Sequence, residues 1–104
     1  MQIVALGVAG TMESSDIIVR IEPNDGGGIE LSIESTVMQQ YGKQIDRVIR
    51  KTLSDLGVES ATVAVVDKGA LDCTIAARVS CAAFRAAQST DYVWNGGVKQ
   101  CQAD

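Results

Sequence analysis

The residues best suited to chemistry in this chain lie in one short polar segment near the N-terminus, at positions 10–16. Two adjacent hydroxyls, on Ser14 and Ser15, stand between the carboxylates of Glu13 and Asp16. A serine hydroxyl can act as a nucleophile once a base activates it, or it can carry a covalently attached group. The alternative interpretation is simply the polar start of a β-strand, because an alternating apolar run follows directly.

The chain contains no histidine. This absence excludes Ser-His and Cys-His dyads, histidine-ligated metal sites and the commonest general base near neutral pH. The odd number of cysteines, Cys73, Cys81 and Cys101, shows no metal-ligand spacing. We therefore expect no catalytic residues, no metal site and no activity of the isolated chain.

Two other features invite a functional interpretation. Three consecutive glycines, 26–28, could cradle a phosphate, but they lack the Lys-Ser/Thr of a P-loop and join two predicted strands. A flexible loop is the better interpretation. Glu30 and Glu34 are two carboxylates, as a catalytic pair would be, but their spacing is what the solvent-exposed face of any strand would show.

Composition limits the class of protein. The chain has 104 residues and 11.0 kDa, enough for one domain over 1–104 with one modest core. A net charge of −4 and a pI near 4.6 argue against nucleic acid as a partner. No apolar run is long enough to span a membrane, and the first residues do not form a signal peptide, so we expect a cytoplasmic protein without membrane contact.

Hydropathy patterning predicts the elements that must position segment 10–16. Alternating apolar residues at 17–21 and 29–33 predict two strands, and the short turn-rich connection between them predicts an antiparallel hairpin. An apolar stripe at helical spacing predicts a first helix over 37–56. A continuously apolar run at 61–66 predicts a deeply buried strand.

The rest of the chain completes the predicted fold. An Ala-rich stretch over 70–88 predicts a second helix, and 89–104 shows no period and is expected to be an irregular tail. The order β-β-α-β-α predicts an α+β two-layer sandwich: a small antiparallel or mixed sheet with two helices on one face. The residues expected to form the core between these layers are Ile17, Val19, Ile21, Ile29, Leu31, Ile33, Ile45, Val48, Ile49, Leu53, Leu71, Ile75 and Val79.

Two blocks of sequence resemble one known family. The run Val8-Ala9-Gly10-Thr11-Met12-Glu13-Ser14-Ser15-Asp16 resembles the N-terminus of the acyl carrier (gamma) subunit of citrate lyase, which reads Gly-Thr-Leu/Met-Glu-Ser-Gly-Asp. The block Asp67-Lys68-Gly69-Ala70-Leu71-Asp72-Cys73, before an Arg-containing Ala-rich helix, is similar too, as is Gln40-Tyr41-Gly42. The similarity covers about residues 8–88. The family's glycine after the serine is Ser15 here.

The resemblance implies a carrier that catalyses nothing alone. The family's modified serine corresponds to Ser14, with Ser15 the second candidate, and residues 1–15 are expected to be a mobile segment. The prosthetic group is 2′-(5″-triphosphoribosyl)-3′-dephospho-CoA, attached through a phosphodiester and ending in a thiol. That thiol holds acetyl and citryl thioesters during cleavage of citrate to acetate and oxaloacetate.

The same resemblance implies partner proteins. These are the alpha subunit (a CoA-transferase), the beta subunit (a citryl-CoA lyase) and the transferase that installs the prosthetic group, all acting in citrate fermentation. The partner subunits choose between citrate and citramalate. Asp67 and Asp72 could contact these subunits, or Asp72 could favour a helix N-terminus electrostatically.

Other functions remain open at this stage. The acyl carrier (delta) subunit of malonate decarboxylase has the same kind of arm and a similar Ser-Gly-Asp before a strand, and it is the first alternative. An unmodified α+β protein that binds a partner or small ligand is the second, and a carboxylate-based enzyme is the third. Conventional acyl carriers are excluded, because they are helical bundles with Asp-Ser-Leu at a helix start, whereas Ser54-Asp55-Leu56 has the wrong order inside a predicted helix.

Overall fold

A computed structural model describes residues 1–36 and 38–88 of the chain. Its elements in chain order are β1 Gly7–Gly10, β2 Ile17–Glu22, β3 Gly28–Ser35, α1 Met38–Asp55, β4 Ser60–Asp67 and α2 Asp72–Ala86. The strands form one mixed sheet in the order β1-β2-β4-β3. The predicted α+β class is confirmed, whereas the predicted tail at 89–104 lies outside the described residues.

β1 is an additional strand that the sequence pattern did not predict, so the order is β-β-β-α-β-α. It pairs antiparallel with β2 along its whole length. Its glycines permit close approach: a Cβ on Gly7 would collide with the α2 backbone at Ala82 and Ala86, and one on Gly10 would collide with the carbonyl of Ile17. A four-residue strand with two glycines carries too little alternation to be recognised.

The predicted antiparallel hairpin of β2 and β3 is wrong, because β4 lies between them. β4 runs antiparallel to β2 and parallel to β3. Parallel neighbours need a crossover connection, and α1 provides it. A short loop such as 23–27 is therefore compatible with strands that are two positions apart in the sheet, and loop length alone did not reveal the insertion.

The core lies between one face of the sheet and the two helices. Its largest fully buried apolar side chains are Ile17, Val19 and Ile21 of β2, Val63 of β4, Ile49 and Leu53 of α1, and Ile75 and Val79 of α2. The inward residues of β3, at 29, 31 and 33, are only partly buried, because β3 is an edge strand. Both helices cover the same face, so the predicted two-layer arrangement is confirmed.

Leu71 is the one predicted core residue that the structure places in solvent, with 69% of its surface exposed. α2 begins one residue later, at Asp72. Leu71 therefore precedes the helical stripe that carries Ile75 and Val79 into the core, and its inclusion in that stripe was wrong. Of the two helices in the described part of the chain, neither is both long and apolar enough for a membrane crossing.

Candidate functional site

Ser14 lies at an exposed corner of the loop that joins β1 to β2. The amide of Asp16 donates to the carbonyl oxygen of Glu13 at 3.2 Å, which closes a four-residue turn with Ser14 as its second residue. Ser14 is exposed, and its hydroxyl makes no hydrogen bond with any residue in the ranges 1–36 and 38–88. Its Oγ is therefore accessible from solvent.

Ser15 occupies the third position of this turn and has a φ of 63°. A positive φ at the third residue is typical of a type II turn and favours glycine, because a Cβ is strained in the left-handed region. This geometry accounts for the glycine that the resembled family has at this position. The backbone at Ser15 is thus strained by the presence of a Cβ, whereas Ser14 does not have a positive φ.

The turn is joined to the end of β4. The amide of Ser15 donates to the carbonyl oxygen of Lys68 at 2.8 Å, and the amide of Lys68 donates to the carbonyl oxygen of Asp16 at 2.8 Å. These bonds extend the β2–β4 ladder by one pair beyond Ile17 and Asp67. The two separate blocks of the sequence resemblance, 8–16 and 67–73, are therefore neighbours in space.

The carboxylate of Asp16 stabilises the loop through several hydrogen bonds. It accepts a hydrogen bond from Thr11 Oγ1 at 2.6 Å and one from the amide of Ile17 at 2.8 Å. Arg78 of α2 donates to both of its oxygens, from Nε at 3.2 Å and from a terminal nitrogen at 3.0 Å. The Asp16 and Arg78 side chains are only 13% and 26% exposed, so this two-point ion pair is largely shielded from water.

These contacts affect the protonation of Asp16. Burial alone would raise the pKa of the Asp16 carboxyl, but the hydrogen bonds from Thr11, Arg78 and the Ile17 amide, together with the charge of Arg78, lower it below its ordinary value. Asp16 is therefore an ionised acceptor at neutral pH rather than a proton donor. It holds the turn and does not act as an acid on Ser14.

Sequence reasoning did not single out Arg78. The only sign was an arginine in an otherwise Ala-rich helix, one turn after the core residue Ile75. Its partner Asp16 is 62 positions away. Nothing in local spacing connects two residues at that separation.

Asp67 has a structural role, and its burial disfavours the possibility that it contacts a partner subunit. Its side chain is 1% exposed. It accepts hydrogen bonds from the Ser35 hydroxyl at 2.8 Å and from the amides of Gly69 and Ala70 at 3.1 and 3.0 Å. Buried polar groups need such partners, and here they fix the turn between β4 and α2.

Asp72, in contrast, is exposed in the first turn of α2. There its charge is favourable to the helix dipole, as expected. Its carboxylate also accepts a hydrogen bond from Gln44 Nε2 of α1 at 2.6 Å. Asp72 therefore connects the N-terminal ends of the two helices and remains accessible to a ligand or partner.

The remaining candidates lie away from Ser14. In the glycine-rich loop, Asn24 Nδ2 donates to the carbonyls of Gly27 and Gly28, so the loop is closed on itself. Glu30 and Glu34 are exposed on the edge strand β3. Within residues 1–36 and 38–88, no three His, Cys, Asp or Glu side chains are grouped as a metal site would require.

Comparison with known proteins identifies what the chain resembles. A family model described as an acyl carrier protein, malonate decarboxylase delta subunit (MdcD), matches residues 5–86. Citrate lyase acyl carrier protein 2 of Salmonella typhimurium is 52% identical over 95 residues, covering 91% of this chain and 98% of that protein. The citrate lyase acyl carrier protein of Klebsiella pneumoniae is 55% identical over 88 residues, covering 85% and 91%.

A solved structure with a similar fold is a chain of a Pseudomonas malonate decarboxylase hetero-tetramer, crystallised in complex with malonate. The TM-score is 0.61 at 15% sequence identity, covering 82% of this chain and 91% of that one. At that identity the similarity concerns the fold alone.

Proposed function

Because the chain belongs to the family of citrate lyase acyl carrier proteins, we propose that it is the acyl carrier subunit of a citrate lyase and that Ser14 carries its prosthetic group. An acyl carrier works through a covalently attached group, within a complex of further subunits. The observation that supports Ser14 most directly is its exposed hydroxyl at the corner of a turn that Lys68 and Arg78 hold in place.

The turn supports the choice of Ser14 over Ser15. Both serines are exposed. The amide of Ser15, however, donates a hydrogen bond to the carbonyl oxygen of Lys68, and Ser15 has a φ of 63°, a conformation that favours glycine. Its role is to reverse the chain. Ser14, one position earlier, combines an accessible Oγ with a backbone anchored on its C-terminal side.

The group that we propose for Ser14 is 2′-(5″-triphosphoribosyl)-3′-dephospho-CoA, joined through a phosphodiester. The residues fit it, because no described side chain is bonded to the Ser14 hydroxyl and a long substituent can leave toward solvent. When bound, this group supplies a terminal thiol that holds acyl groups. The chain needs no base beside Ser14, because a separate transferase installs the group.

The protein's own residues supply position. The ion pair of Asp16 and Arg78 connects the turn to α2. The covalent link gives the arm an effective concentration of about millimolar at the partner active sites. The net charge of −4 disfavours contact between the phosphate groups of the arm and the carrier surface. This repulsion does not act on the uncharged pantetheine end of the arm.

The partners that we propose are the alpha subunit (CoA-transferase), the beta subunit (citryl-CoA lyase) and the attaching transferase. A carrier of malonate decarboxylase is the second candidate, supported by the matching family model and by the shared fold. The much higher identity to citrate lyase carriers favours the first candidate. The cytoplasmic location and the mobility of residues 1–15 stay predictions.

The test is to produce the chain together with the attaching enzymes of a citrate-fermenting host and to measure its intact mass. We expect the mass of one phosphodiester-linked nucleotide arm on the parent and on Ser15→Ala, and none on Ser14→Ala. Reconstitution of the modified parent with citrate lyase alpha and beta subunits should then restore citrate cleavage. An unmodified parent, or citrate cleavage by the bare chain, would refute the carrier function.

A further inference from the structure

A concave cavity of about 410 Å³ lies between the N-terminal ends of α1 and α2. We call it the interhelical groove. The residues that shape it include Tyr41, Gln44, Ile45, Leu71, Asp72 and Ile75. Its size falls within the range of about 300–1,000 Å³ that small-molecule sites occupy.

The groove has an apolar floor and apolar walls. Ile45 and Ile75 form the floor and belong to the core, with 3% and 1% exposure, whereas the walls Tyr41 and Leu71 are 54% and 69% exposed. Large apolar side chains exposed beside a concave surface are unfavourable in water unless a ligand covers them. The core does not explain Leu71, because it lies outside the buried stripe of α2.

The groove begins next to the turn at residues 13–16. The Ser15 amide binds the carbonyl of Lys68, and the next residue along, Gly69, already lines the groove. Ser14 directly precedes Ser15 in the loop between β1 and β2, and each residue step spans about 3.8 Å. A long flexible substituent on Ser14 therefore reaches the groove without any rearrangement of the fold.

We propose that the interhelical groove is a resting site for the pantetheine end of the prosthetic arm. This inference rests on the proposed function, since it requires the arm on Ser14. Pantetheine combines methyl and methylene groups with two amides. The apolar floor and walls suit its carbon skeleton, and the Asp72 carboxylate at the rim, which accepts one hydrogen bond from Gln44, has further lone pairs for its amide N–H groups.

The charge of Asp72 makes the groove favour an uncharged end of the arm over one that carries carboxylates. A free thiol or an acetyl thioester adds no charge and fits the groove, whereas the carboxylates of a citryl group are repelled by the Asp72 carboxylate. The arm should rest in the groove between turnovers and leave it when it carries citryl.

The test uses the full chain carrying its arm, with Leu71→Glu as the variant and Leu6→Glu as the matched control. Leu6 is 48% exposed and does not line the groove, so the control adds the same charge elsewhere. We measure the alkylation rate of the arm thiol by peptide mass, which separates it from the cysteines. We expect Leu71→Glu to speed alkylation about fivefold, as a loss of about 1 kcal/mol of apolar contact would do, and Leu6→Glu to leave it unchanged.

A second measurement is independent of thiol reactivity. Backbone amide NMR signals of Ile45, Leu71 and Ile75 should shift between the unmodified and the arm-bearing parent, and Leu71→Glu should abolish the shifts at Ile45 and Ile75. If the arm attaches but neither signals nor alkylation rates respond, the resting site is refuted while the carrier function stands. A second variant, Tyr41→Lys, alters the other exposed wall of the groove. If both variants block attachment of the arm, or if both weaken binding of the alpha and beta subunits without changing the alkylation rate, the groove recognises proteins. The proposal is then likewise refuted. If no arm attaches to the parent, both proposals fail.

Discussion

Arg78 and Asp16 form a two-point ion pair that connects the second helix to the turn at residues 13–16, with N–O distances of 3.2 and 3.0 Å. The pair is largely buried, and Asp16 is also bonded to Thr11 and to the amide of Ile17. The exposed Ser14 therefore lies in a loop that a largely buried ion pair connects to α2. Four predictions test this arrangement and the core beneath it.

Replacing Arg78 by alanine should lower the free energy of unfolding by about 1.5–3 kcal/mol, the value of a hydrogen bond to a charged group. The reason is that Asp16 would keep its charge in a shielded position with half of its partners lost. The matched control is Arg50→Ala, which removes an exposed pair with Asp46 and should cost no more than about 0.5 kcal/mol. Equal losses in denaturant melts would mean that the Asp16 pair is no stronger than a surface pair.

Acid should weaken the fold through Asp16. Because folding lowers the pKa of Asp16, ionised Asp16 stabilises the protein at pH values above its ordinary pKa of 3.8, and this contribution disappears as the pH falls through the lower folded-state value. In Asp16→Asn the contribution is absent at every pH. The stability difference between parent and variant should thus be constant near neutrality and shrink below about pH 4. A difference that stays constant into strong acid would contradict the lowered pKa.

Ser15→Gly should leave attachment at Ser14 intact and should not destabilise the protein. Glycine removes the strain of a Cβ at positive φ, about 1–2 kcal/mol, which outweighs its greater entropy loss of about 0.5–1 kcal/mol. Ser15→Val is the informative contrast, because a β-branched side chain tolerates positive φ poorly and should lower the melting temperature. If valine is accepted as readily as glycine, the left-handed conformation at this position is wrong.

Ile49→Ala should cost about 2–5 kcal/mol, because it opens a cavity in the completely buried layer between α1 and the sheet. Arm attachment should survive at low temperature wherever the domain remains folded, since Ser14 lies outside that layer. Leu71→Ala is the control and should barely change a denaturant melt, given its exposure. A neutral Ile49→Ala melt would show that α1 does not contribute to the core as described.

The comparison of sequence and structure separates what local pattern encodes from what it does not. Alternation at Ile17–Ile21 and the helical stripe through Ile45, Ile49 and Leu53 correctly predicted β2 and α1, because burial of one face imposes a period. Strand pairing has no such local sign. The insertion of β4 between β2 and β3 depends on the α1 crossover, and it cannot be deduced from a loop of a few residues.

The candidate site shows the same division. The resemblance suggested Ser14, and its exposure agrees with a small polar segment, but the turn around it depends on Lys68 and Arg78. These residues come from distant parts of the chain and meet Ser15 and Asp16 only in the folded domain. Conversely, Asp67 is a charged residue of the kind that often contacts partners at a surface. In the structure its carboxylate is instead bonded to Ser35, Gly69 and Ala70 and stabilises the turn between β4 and α2.

The long sequence separation between Asp16 and Arg78 has a consequence for biosynthesis. Ser14 leaves the ribosome early, but its turn is complete only after β4 and most of α2 have been synthesised and packed. An attaching enzyme that recognises the shape of the turn, rather than its sequence, therefore distinguishes a finished domain from a nascent, truncated or misfolded chain. Under the proposed function, such an enzyme would modify only folded carriers, which are the ones able to join the complex.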